Sequence, residues 1–135
     1  MNISDLIKKH EGYRDKPYKC SAGRITIGYG HNLESAGLPI QISEALLEMD
    51  IKAAEDDLQS VFDIDTLYSI SYSRYSVLVN MMFNLGLTRF KGFRLMIQAV
   101  KNKDFEQAAL EMLDSKWAKQ VGARSSELST MMKRG

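Results

Sequence analysis

Apolar positions along this chain follow two rhythms. Near the N-terminus Leu6, Ile7 and His10 share a face at helical spacing, with Ser4 before them as a cap and Gly12 after them as a stop, so the pattern predicts a short helix ending at Glu11. A glutamate in the last turn opposes the helix dipole, and its position asks for another explanation. From 13 to 34 the period changes. Pro17, a Ser21-Ala22-Gly23 turn and the alternation of "RITIGYG" predict a small antiparallel sheet, with Cys20 beside the turn. Residues 34 to 41, holding Gly37 and Pro39, read as a loop.

The helical rhythm then takes over. Ser43 is placed to cap "EALLEMDIKAAEDDLQSVF", whose Leu47, Ile51, Ala54, Leu58 and Phe62 form one stripe with acids on the other side, predicting a long helix over 43–62. Residues 63 to 73 form a less regular connection. "RYSVLVNMMFNLG", from Arg74 to Gly86, is apolar nearly all round, as suits a helix at the centre of a bundle. Its Asn80 and Asn84, four apart, make one polar stripe that must find partners. Asp104 and Gln107 have capping-box spacing ahead of "FEQAALEMLDSKWAK", with Phe105, Ala109, Met112 and Leu113 as the buried face. Most of the eight methionines read as core filler.

Composition narrows the class. A chain of 135 residues, 44% of them hydrophobic, suits one globular domain with one sizeable core. "MNISDLIKKHEG" lacks the apolar centre of a signal peptide and no run approaches bilayer-spanning length, so synthesis in the cytoplasm without self-export or membrane insertion is expected. Charge is uneven: +2 over residues 1–42, −7 over 43–66 and +6 over 67–135. The acidic segment argues against simple binding to a nucleic-acid backbone, while the basic half suits an anionic partner such as a bacterial wall. A solvated acidic helix face is the plainer account of the middle segment.

Candidate chemistry is sparse. His10, His31 and Cys20 match no zinc spacing, and "GYGH" is too short for a dinucleotide fingerprint, so neither metal nor cofactor is expected. Cys20 and His31 could meet across the hairpin, which leaves a cysteine hydrolase open. A second constellation has better geometry: Glu11 ends a helix, Cys20 follows after eight residues and Thr26 after five more. All three would face one mouth between helix and sheet. A glutamate at such a junction can be partly desolvated, which favours the protonated form that a general acid for glycoside cleavage requires. An ordinary surface charge is the alternative for Glu11 taken alone.

The spacing Glu, eight residues, Asp or Cys, five residues, Thr resembles the catalytic signature of the phage-type lysozymes of glycoside hydrolase family 24. "HEGYRDKPYKCSAGRITIGYGH" looks like that family throughout, and "EMDIKAAEDDL", "VNMMFNLG", "FKGF" and "DFEQAALEMLDSKWAKQ" continue the resemblance in order over essentially the whole chain. It implies an α+β, mainly helical, two-lobed fold: an N-terminal lobe with a small sheet (1–42), a connecting helix (43–62) and a helical C-terminal lobe (63–135). It also implies a monomer that hydrolyses the β-1,4 bond between N-acetylmuramic acid and N-acetylglucosamine in peptidoglycan. Glu11 takes the acid position, Cys20 that of the second catalytic residue, and Thr26 that of the residue positioning a water. For Cys20 three roles stay open: a weak base, a nucleophile, or a spectator beside a lone acid.

Further residues carry over by position. Arg124 corresponds to an arginine close to the catalytic glutamate, and Phe83 to a phenylalanine of the cleft wall, a place where a core position is the alternative. Asn84 stands for a family glutamine that can hydrogen-bond sugar groups, and Asn32 for an apolar cleft residue. Met96 and Glu111 depart in type from polar cleft residues of the family. His31 and Asp50 align with a facing pair, read as an ion pair between sheet and long helix. A lytic transglycosylase, or a wall-binding protein that kept the fold without the activity, are the competing readings. Release to the wall through a holin pore or from broken cells is implied, with delivery by a secretion machine or phage tail as the other route.

Overall fold

The computed structural model describes residues 2–135. It is 69% helical, with ten helices and one three-stranded antiparallel sheet among the described residues, an α+β fold of the expected class. The chain divides into two compact units, Met1–Leu46 and Leu47–Gly135.

In the first unit, α1 (Ile3–Glu11) ends where expected but begins earlier. Asn2, not Ser4, is the cap: its Oδ1 accepts from the Asp5 N–H at 2.8 Å. Gly12 stops the helix at φ +71°, its N–H donating to the Lys8 carbonyl. Lys8, Lys9 and His10 share the last turn with Glu11, so cations that the dipole favours accompany the acid that it disfavours. The sheet follows as β1 (Arg14–Lys19), β2 (Ile25–Gly28) and β3 (His31–Asn32), in that spatial order. Tyr18 and Lys19 pair with Thr26 and Ile25, while Thr26 and Ile27 pair with Asn32 and His31. The register shifts between Arg14 and Tyr18, where Pro17 has no N–H to give to the ladder.

Residues 34–41 are not the expected loop. Asn32 caps a single helical turn, α2 (Leu33–Ala36), by accepting from the Ser35 N–H at 3.0 Å. The long helix α3 then runs Ile40–Leu58 instead of 43–62. Its start is set by Pro39, whose carbonyl accepts from both Ile42 and Ser43, so Ser43 lies inside the first turn. Its end comes early because the N–H groups of Val61 and Phe62 both fold back on the Leu58 carbonyl. Phe62 is buried nonetheless, carried inward by that turn.

The second unit holds the hydrophobic core. Residues 63–73, expected to be irregular, contain α4 (Ile64–Ser69), capped by Asp63 on the Thr66 N–H at 2.7 Å. The central helix α5 (Tyr72–Leu85) starts at a Ser71 cap and buries Val77, Leu78, Met81, Met82 and Leu85. Gly86, at φ +78°, separates it from α6 (Leu87–Lys91), and α7 (Arg94–Lys101) follows. The stretch expected as one helix from Phe105 is two, α8 (Phe105–Leu113) and α9 (Lys116–Val121), because Ser115 accepts from the Ala118 N–H and starts a new turn. Asp104 caps α8 through the Gln107 N–H at 3.1 Å, but the Gln107 side chain bonds Glu111 at 2.8 Å, so the capping box is half made. Ala109 and Met112 are buried as expected, whereas Leu113 is exposed.

The last helix, α10 (Ala123–Arg134), packs on α8 and α5. Arg74 holds its end, with Nε donating to the Met132 carbonyl at 2.7 Å and Nη2 to that of Lys133 at 3.0 Å, while the guanidinium lies over the Phe105 ring. Met81, Met82, Met96, Met112 and Met132 all sit in this core. Met49 is exposed on α3. No helix among the described residues is long and apolar enough to cross a membrane.

Candidate active site

The hairpin between β1 and β2 builds the first part of the site from local bonds. The Cys20 carbonyl accepts from the Gly23 N–H at 2.8 Å and the Cys20 N–H donates to the Arg24 carbonyl at 2.9 Å, so the Ser-Ala-Gly turn fixes the half-buried thiol at its base. The backbone N–H of Arg24, then that of Ala22, hold the Cys20 thiol below its ordinary pKa against the opposing effect of desolvation, and the Thr26 hydroxyl adds to them. This is the first physical reason for a cysteine at this turn.

Thr26 lies on β2, buried at 3% exposure, and its hydroxyl donates to the Arg24 carbonyl at 2.8 Å. A hydroxyl has one proton, and here two acceptors compete for it, that carbonyl and a Cys20 thiolate. The fold therefore brings Cys20 and Thr26 together around one peptide group.

Glu11 is held differently. It is exposed, so the desolvation expected at the helix–sheet junction is not found. Its carboxyl group lies beside Gly30, at φ +76°: a Cβ built there would lie 2.7 Å from Glu11 Oε2 and 2.9 Å from its carboxyl carbon. The carboxyl group occupies the space that a side chain at 30 would need. Gly30→Ala is expected to cost about 1–2 kcal/mol in backbone strain and to push the Glu11 carboxylate aside, with up to about 10²-fold lower activity. A thermal melt and a rate assay check both arms.

The other expected residues divide between the units. His31, on β3, donates through Nε2 to the Gly37 carbonyl at 2.6 Å, while Asp50 stands exposed on α3. Asn32 uses one lone pair of its side-chain oxygen on the α2 cap, leaving the other and its amide N–H groups for a ligand. In the second unit the two asparagines of α5 have found the partners that their spacing required. Asn84 Oδ1 accepts from the Trp117 indole at 2.7 Å, and Asn80 Oδ1 accepts from Arg124 Nε and Nη2 at 2.9 and 2.7 Å. Phe83, 44% exposed, lies at a cavity of about 390 Å³ with Leu47, Ile51, Val79, Asn80 and Arg124, and so is not a core position. Met96 and Glu111 line another cavity of about 560 Å³, beside Phe93 and Trp117.

Sequence reasoning did not single out Asn80 as the holder of Arg124, nor Arg24 and Glu34, whose ion pair is 2.8 Å long. It also missed Tyr75, which donates to Glu55 Oε2 at 2.6 Å in the cavity beside Phe83. Desolvation, then the Glu55 carboxylate, push the Tyr75 pKa up to about 12. A raised folded-state pKa favours the folded protein below the unfolded value near 10, and that contribution is lost as pH rises through about 12. Stability should therefore fall between about pH 10 and 12, and Tyr75→Phe should flatten that fall in a pH series of denaturant melts.

Comparison with known proteins gives a consistent set of likenesses. The family model described as "Phage lysozyme" matches residues 8–134. An endolysin of Acyrthosiphon pisum secondary endosymbiont phage 1 is 32% identical over 142 residues, which span 99% of this chain and 92% of that protein. "Probable T4-type lysozyme 1" of Dictyostelium discoideum is 27% identical over 161 residues, spanning 99% and 95%. The pre-baseplate central spike protein Gp5 of Enterobacteria phage T4 is 27% identical over 161 residues, spanning all of this chain and 28% of that one.

Proposed function

Because the chain belongs to the phage lysozyme family, we propose that this hydrolase is a muramidase cleaving the β-1,4 bond between N-acetylmuramic acid and N-acetylglucosamine, with Glu11 as general acid and Cys20 and Thr26 managing the attacking water. The observation that carries the reading is the convergence of Cys20 and Thr26 on the Arg24 carbonyl, beside a thiol held below its ordinary pKa.

Glu11 protonates the glycosidic oxygen as the bond to the anomeric carbon breaks. Positive charge grows on the sugar ring. Water attacks that carbon, its lone pair directed by the Thr26 oxygen and its proton taken up at the Cys20 sulfur. The hydroxyl ends on the muramic acid and the proton from Glu11 on the departing glucosamine oxygen, so the sum is one water added.

A peptidoglycan zymogram tests the class, because a wall-binding protein without activity leaves no cleared zone. Product mass tests the bond chemistry. Reducing muramic acid ends carry the added water, whereas a lytic transglycosylase leaves a 1,6-anhydro end lighter by one water. The likeness to endolysins supports action on the wall after holin-mediated or lytic release. The likeness to a spike protein supports the tail-borne route, and detection of the protein in purified virions would select it.

A further inference from the structure

One carbonyl serves both residues that the proposed mechanism assigns to the water. The Arg24 C=O accepts from the Cys20 N–H at 2.9 Å and from the Thr26 hydroxyl at 2.8 Å. Any rotation of that peptide moves both. The Arg24 residue itself lies outside the ladder, between the turn and β2, and its side chain does not pack in the core. Its guanidinium instead meets Glu34 Oε2 at 2.8 Å, and Glu34 sits on α2. That helical turn is anchored by its Asn32 cap, and Asn32 is the strand partner of Thr26. The bonds therefore close a ring: Arg24 to Glu34, Glu34 through α2 to Asn32, Asn32 across the sheet to Thr26, and the Thr26 hydroxyl back to the Arg24 carbonyl, to which the Cys20 N–H is also bonded.

We propose that Arg24, clamped by Glu34, is a positioning residue that sets the Cys20 sulfur and the Thr26 hydroxyl relative to one another. The inference rests on the muramidase reading for its effect on rate, but not for its effect on the thiol. Arg24 touches neither substrate nor water in this account. It acts through its backbone, and the ion pair fixes the backbone's orientation. Both partners are more than a third exposed, and an exposed pair biases such an equilibrium by a factor of about two to five.

Glu34→Gln separates positioning from simple electrostatics because the two predict opposite signs. Removing an anion from the neighbourhood, with nothing else changed, favours the thiolate and moves the thiol's titration to lower pH. Releasing the Arg24 backbone loosens its C=O, which holds the Cys20 N–H and the Thr26 hydroxyl, together with its N–H, which favours the thiolate, and moves the titration to higher pH. Cys20 is the chain's one cysteine, so the pH profile of its alkylation by iodoacetamide reads the midpoint directly, in active or inactive protein.

The expected result is a midpoint shifted upward in Glu34→Gln, a kcat on peptidoglycan lowered by about two- to fivefold with KM unchanged, and restoration of both in the exchanged pair Arg24→Glu with Glu34→Arg. A midpoint that stays or falls in Glu34→Gln overturns the proposal, as does one that rises and is not restored by the exchange. A far-UV circular dichroism spectrum and thermal melt that match those of the wild type confirm that each variant has folded. If the wild-type protein clears no wall while the midpoint rises and is restored, the muramidase reading has failed and the positioning of the thiol stands.

Discussion

Glu11→Gln is expected to reduce wall clearing by about 10²- to 10⁴-fold, the usual contribution of a positioned general acid. The substitution keeps the shape of the side chain, so its place beside Gly30 is retained, and it removes the proton that the proposed general acid would supply. Folding should not suffer. Glu11 is exposed and closes α1, where a negative charge opposes the dipole, so neutralising it should raise stability by about 0.3–1 kcal/mol. The two readouts must therefore separate: rates on peptidoglycan collapse while the thermal midpoint holds or rises. A variant that clears walls at near the wild-type rate would place the acid elsewhere. A variant that loses rate and stability together would make Glu11 a structural residue instead.

The second large effect concerns Cys20. Cys20→Ala leaves Thr26 in place but removes the group that takes the water's proton, and should cost about 10²-fold or more. Cys20→Asp restores a base at the same position and should remain active. The pH profiles should differ in a defined direction. In the wild type the base is competent only as a thiolate, so activity rises with pH through a limb below that of an ordinary thiol, because the Arg24 and Ala22 N–H groups favour the anion. In Cys20→Asp that limb moves towards the carboxylate range near 4. The freshly released muramic acid should carry its new hydroxyl in the inverted configuration, since water arrives from the face opposite the leaving group. NMR of the product before mutarotation reads this directly. A retained anomer would make Cys20 the nucleophile.

Features set by neighbours in sequence were legible. The stop of α1 at Gly12 and the Cys20 turn follow from bonds within a few residues, and β2 forms where the alternation placed a strand, although it buries Thr26 and leaves Ile25 exposed. The polar spacing of Asn80 and Asn84 announced that partners must exist, but those partners lie 44 and 33 residues away, and periodicity does not name them. Helix ends were less legible because competing caps sit close together. Asn2 rather than Ser4, and Pro39 rather than Ser43, took the start, and Ser115 broke a stretch whose apolar spacing ran on regardless. In the site, Glu11, Cys20 and Thr26 stood out through their intervals and the family likeness. Gly30 as the wall behind Glu11, and Arg24 as the shared acceptor, depend on how the hairpin closes in space, and no interval encodes that.

The chain's one tryptophan and one cysteine lie in different units. Trp117 is buried in the second, its ring edge-on to Phe93 and its indole N–H bonded to Asn84, so its emission is quenched or shifted when that core opens to water. Cys20 is in the first, half-buried at the base of a turn whose backbone holds its thiol below the ordinary pKa, so its alkylation rate changes when that turn opens. Each unit thus carries its own intrinsic reporter, one optical and one chemical, with no label added. Coincident transitions in the two signals mark a single cooperative unit of unfolding, and separated ones mark two.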